Sequence, residues 1–70
     1  MTKEDIEIGM VIRFQFELKA YKNKWMYSCG IVLKKTNRSL WVYCLRNGHN
    51  TVVDINGIRY LKQLPWEFVV

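Results

Sequence analysis

Met10, Ile12, Phe14, Phe16 and Leu18 alternate with Val11, Arg13, Gln15 and Glu17. A period of two marks a strand with one face buried and one wet. Lys19-Ala20-Tyr21-Lys22-Asn23-Lys24 breaks the alternation and reads as the longest loop. The extended pattern resumes from Trp25 to Lys35, with Gly30 inside it as the mark of a bulge or sharp bend. Thr36-Asn37-Arg38-Ser39 has turn composition. Leu40 to Arg46 is rich in β-branched and aromatic residues. Asn47-Gly48 then signals a two-residue type I′ hairpin, in which both central residues take positive φ. Such a turn sets Val42 opposite Val53 and Tyr43 opposite Val52. It gathers Leu40, Val42, Cys44, Thr51, Val53 and Ile55 on one face and Trp41, Tyr43, Leu45 and Val52 on the other. A longer loop shifts that register. Asp54-Ile55-Asn56-Gly57 reads as a tight turn with 3₁₀ character. Ile58 to Leu61 reads as a short last strand, and Pro65 stops it.

The ends differ from the body. Residues 1–8 form a polar, acidic lead-in, either one helical turn or a loose segment. Trp66, Phe68, Val69 and Val70 make an apolar tail around Glu67. The tail has three possible uses: an added strand, a cap on the open end of the fold, or an interface with another chain. The 70 residues suffice for a single domain spanning 1–70. A chain this short buries only about 60% of its unfolded surface, so large rings must do much of the filling. Core filling, or cover for one mouth of the fold, is therefore the expected use of Trp25, Tyr27, Trp41 and Tyr43. A cage for a methylated cation is the alternative, disfavoured by the many cations nearby.

Three stretches carry a family resemblance. Ile8-Gly9-Met10-Val11-Ile12-Arg13 resembles the opening x-G-x-x-V/I-x of SH3-like small barrels, the KOW and Tudor-type members above all. Gly30-Ile31-Val32-Leu33 resembles their second strand. Asp54-Ile55-Asn56-Gly57-Ile58-Arg59-Tyr60-Leu61 resembles their 3₁₀ turn and closing strand. The likeness covers residues 8–64 and is one of layout. It departs at the first turn, where the family often has Gly-Asp and this chain has Gly9-Met10. It implies an all-β fold: a small five-stranded antiparallel barrel with a short 3₁₀ turn before the last strand. Such barrels serve nucleic acids, peptides and modified side chains alike, so the layout leaves function open.

Charge narrows the class. The net charge is +5, but residues 8–66 hold ten Lys/Arg against two acids, Glu17 and Asp54. That density attracts phosphate backbones or acidic protein surfaces. Lys19, Lys22 and Lys24 share the first loop with Tyr21 and Trp25. Lys34, Lys35 and Arg38 flank the next turn, and Arg46 lies at the hairpin. Cations interleaved with stacking rings suit RNA or single-stranded DNA. The leading expectation is thus a basic binding module for nucleic acid. The rival is a protein-interaction module, of the kind phages and mobile elements encode, steered to an acidic host surface. Trp66, Phe68, Val69 and Val70 are its interface candidates, with a homodimer as one form.

Other chemistry is poorly supplied, and no enzyme is expected. Cys29, Cys44 and His49 are too few, and wrongly spaced, for a zinc site. Acids for general acid–base work are scarce, and no glycine-rich phosphate loop occurs. The plasmid-type dihydrofolate reductase on this barrel carries a Val-Gln-Ile-Tyr run, where this chain has Thr51-Val52-Val53-Asp54-Ile55. No cofactor is expected. Without an apolar leader or a span-length apolar run, the expected setting is cytoplasmic, with reduced thiols, no membrane contact and a complete small reading frame.

Overall fold

In a computed structural model of the chain, the alternating segments become five antiparallel strands in one sheet. Residues 1–17 and 23–69 are described, Phe68 and Val69 by backbone alone. The strands are β1 (Val11–Glu17), β2 (Trp25–Lys35), β3 (Ser39–Cys44), β4 (Asn50–Asp54) and β5 (Ile58–Leu64). Their order across the sheet is β4-β3-β2-β1-β5. The chain meanders through β1 to β4 and returns to lay β5 against the free side of β1. The sheet is open: among the described residues no ladder joins β4 to β5, so the closed barrel expected from the layout is not formed.

One face of the sheet forms the core. Ile12, Phe14, Val32, Leu40, Val42, Val53, Ile55 and Ile58 pack together there, with Met10, Phe16 and Leu61 at the margin. The faces expected for β3 and β4 hold, although the register differs. Leu40 pairs with Val53 and Val42 with Thr51, a shift of two residues. Side chains alternate with period two, so a shift of two moves contacts without turning any residue over. The cause is the loop. Cys44 N–H donates to the His49 carbonyl and Gly48 N–H to the Cys44 carbonyl, closing a five-residue connection in place of the type I′ turn. Only Gly48, at φ 72°, takes the left-handed conformation there. The Asn47 side chain instead accepts the His49 N–H.

Gly30 answers a different need from the bulge expected at it. A Cβ there would lie 2.1 Å from the Tyr43 carbonyl oxygen and 2.6 Å from Val42 Cγ1. It lets β3 approach β2 closely. The β2 irregularity falls between Val32 and Lys34, at Leu33. A second lies in β5, which advances from Arg59 to Lys62 while β1 moves from Gln15 to Arg13. Tyr60 sits in it at φ 53°, a rare conformation for a bulky residue.

The lead-in is a 3₁₀ turn (Lys3–Asp5) that delivers Ile6, 2% exposed, into the core. Asp54 ends β4 and accepts the Asn56 N–H, starting the 3₁₀ turn Ile55–Gly57. The tail is a 3₁₀ turn (Trp66–Val69), not an added strand. Trp66 is exposed, the side chains of Phe68 and Val69 are not described, and Val70 lies outside the described residues. No helix is long and apolar enough to cross a membrane among the described residues.

Candidate functional site

The antiparallel ladders set outward residues of β2, β1 and β5 side by side. Gln15 lies between Tyr27 and Arg59, and Arg13 lies between Cys29 and Lys62. Glu17 pairs with Trp25 at one end of this face, and Val11 with Ile31 and Leu64 at the other. Val11 is buried at that end, beside Ile31 and Leu64.

The cations on this face rest on rings. The Arg59 guanidinium carbon lies 3.6 Å from the Trp25 ring centre and 5.0 Å from that of Tyr60. Its Nε donates to Gln15 Oε1 at 2.9 Å, which fixes the plane of the group. Arg13 lies 4.3 Å from the Tyr27 ring centre. Such contacts contribute about 0.5–1 kcal/mol each at exposed sites. More useful for function, a stacked guanidinium keeps its edge N–H donors free for a phosphate oxygen. The β5 bulge leaves the Tyr60 ring 68% exposed beside Arg59.

A cleft of about 240 Å³ opens on the same face, lined by Arg13, Tyr27, Ser28, Cys29, Arg46 and Leu64. Arg46 belongs to the β3–β4 connection, and the Leu45 N–H donates to the Cys29 carbonyl, docking that connection on β2. Among the described residues, two guanidinium groups and no carboxylate line the cleft. Behind it, on the inner face, Cys44 sits 3.7 Å from the Ser28 hydroxyl. Burial pushes the Cys44 thiol up, but the Arg46 and Asn47 N–H groups, the Ser28 hydroxyl and the Arg46 charge together hold it below its ordinary value.

The turn between β2 and β3 is different. The Lys35 ammonium donates to the Ile6 carbonyl at 3.2 Å and the Glu4 carbonyl at 3.4 Å, so it is engaged within the chain. Lys3 donates to Asn56 Oδ1. These contacts bring the acidic lead-in onto the turn, next to Lys35, Thr36 and Asn37. The Glu4 carboxyl is held below its usual range by its backbone N–H and the Thr2 hydroxyl, then by Lys3 and Lys35. Asp5 is held low by the Thr2 N–H and hydroxyl, with further help from the N-terminus and Lys35. The local surplus of positive charge is thereby reduced.

Among the described residues, those singled out in sequence are spread over several elements. Lys19, Tyr21 and Lys22 lie outside the described residues. Lys24 is exposed beside Trp25, which is half-buried under Arg59. Lys34 sits 5.5 Å from the Trp41 ring centre. Arg38 is exposed on the turn, near Ser39, Val52 and Asp54. Of the described ones, only Arg46 reaches the cleft. Tyr27, Trp41 and Tyr43, expected to fill the core or cover one mouth of the fold, are exposed on the outer face. Trp25, Tyr27 and Trp41 each already carry one of the chain's own cations. No sequence motif marks Arg13, Gln15, Arg59, Tyr60 or Lys62 as a binding residue. The one signal was that Arg13 and Gln15 interrupt the apolar alternation of β1, which by itself reads as a solvated face. No three His, Cys, Asp or Glu side chains are grouped as metal ligands among the described residues. Compared with known proteins, the chain matches no family model, no curated sequence and no solved structure.

Proposed function

We propose that this protein is a small nucleic-acid-binding module that takes single-stranded RNA or DNA on the outer face of β2, β1 and β5. One observation carries the reading: Arg13 and Arg59 are each stacked on a ring on the same face, next to Lys62. Phosphates need cations that tolerate partial desolvation, and bases need flat partners. Stacked arginines supply both within one pair of residues. The strand order and the 3₁₀ turn before β5 support an SH3-like layout, its two edges spanned by the shared core rather than by a ladder. The free thiols Cys29 and Cys44 support a reducing, cytoplasmic setting.

The test is a salt titration of binding to short single-stranded RNA and DNA and to a duplex. Single strands are expected to bind more tightly than the duplex, with affinity falling steeply as salt rises. Binding weaker than about 10⁻⁴ M at low salt, below ordinary non-specific affinity, overturns the reading. The exposed edge β4, with Val52 51% exposed, favours a second reading, docking on an acidic protein. Recovery of one stoichiometric protein after nuclease treatment, without oligonucleotide binding, selects it.

A further inference from the structure

The outer face does more than offer charge, because the cleft between Arg13 and Arg46 has the size and chemistry of a site for one unit of the strand. Resting on the single-strand reading above, we infer that this cleft seats a single unstacked pyrimidine nucleotide. Its base extends the Tyr27–Arg13 stack and its phosphate rests on Arg46.

Volume limits the occupant. At about 240 Å³ the cleft is smaller than the roughly 300–1,000 Å³ of sites for drug-sized ligands. The cleft is open on one side, and that small volume favours one small ring with a phosphoryl group over a larger occupant. Charge sets its sign. Among the described residues, Arg13 and Arg46 line the cleft without a carboxylate, so a cation is repelled and an anion attracted. Shape sets its flatness. The Arg13 guanidinium carbon lies over the Tyr27 ring at 4.3 Å, so a flat cation and a ring stand together at the cleft, the kind of surface on which unpaired bases stack. Leu64 and Cys29 supply the apolar part of the lining. Arg46 comes from the docked β3–β4 connection, a different element from the stack, and can address the phosphate while Arg13 faces the base. A base paired in a duplex cannot present its face in this way, so the cleft favours single strands.

NMR titration of the whole chain with uridine 5′-monophosphate tests this, with uridine and inorganic phosphate as separate arms. The monophosphate is expected to shift the amide signals of Tyr27, Cys29 and Arg46, and each half alone to bind at least about tenfold more weakly. Arg46→Ala, on an exposed loop, should abolish those shifts with the folded spectrum retained. Arg46→Lys should restore them in part. Unmoved cleft signals, with a single-stranded oligonucleotide still bound elsewhere on the face, overturn the inference and leave the broader reading standing. Equal shifts with inorganic phosphate alone also overturn it, reducing the cleft to a simple anion site. If neither monophosphate nor oligonucleotide binds, both readings fall together.

Discussion

Gly30 and Tyr60 show how much one residue decides here. At Gly30 the two backbones approach so closely that any side chain meets a carbonyl oxygen, which cannot swing aside as a side chain can. Alanine would stiffen the unfolded chain, a gain of about 0.4–1 kcal/mol, but the clash dominates. Gly30→Ala is expected to destabilise the fold by about 3 kcal/mol, the upper end of overpacking costs, as read by urea denaturation. Tyr60 is the converse. Its left-handed backbone costs about 1–2 kcal/mol that glycine would not pay, set against glycine's greater freedom when unfolded. Tyr60→Gly should therefore hold or raise stability by up to about 1 kcal/mol. If its exposed ring stacks on bases, the same change should weaken single-strand binding about tenfold. A variant that loses both stability and binding would show the ring to be structural instead.

The lead-in is the element whose role is most easily underestimated. It contributes one core residue, Ile6, and ties itself to Lys35 through two backbone carbonyls. Ile6→Ala is expected to cost about 2–4 kcal/mol in a denaturation experiment, as for other fully buried aliphatic truncations. A loss below about 0.5 kcal/mol would mean that the segment is merely attached. Its acids give a direction with pH. Glu4 and Asp5 are lowered in the fold, so the folded state binds fewer protons than the unfolded chain as these groups titrate. Stability should be fully present above the ordinary carboxylate range and fall as acid carries the pH down through the lowered values. Both carboxyls are exposed, so the slope is modest. Asp5→Asn should flatten part of it in melting curves taken from neutral to acid pH.

At the scale of the whole molecule, the surplus charge is divided unequally. The β2–β3 turn has the lead-in's acids beside it, while Arg13, Lys62 and Arg46 stand on or beside a face whose cleft holds no acid among the described residues. Replacing Arg13 and Lys62 with alanine should reduce the salt dependence of single-strand binding by about 1.4 in log–log slope, near 0.7 per lost phosphate contact. Replacing Lys34 and Arg38 should change it by less than half of that. Equal effects would mean that binding follows net charge and not this face.

Much of the fold is legible in the amino-acid sequence alone. Alternation placed β1 and sorted β3 and β4 into faces that survive a two-residue change in register, because period two is a local property of an extended chain. Aspartate before Ile55-Asn56-Gly57 marked the 3₁₀ turn, because its side chain caps a neighbour only two residues on. The five strands and their antiparallel sense followed from such short-range signals. The partners across strands did not. That Arg59 would lie on Trp25, that Arg46 would be carried to Arg13, and that the acids of the lead-in would settle against Lys35 all depend on register, bulges and the return of β5 to β1. Those join residues dozens of positions apart, and no local preference encodes them. The chain's alternation settled which residues of β1, β3 and β4 share a face. Only the folded sheet decided which of them stand together.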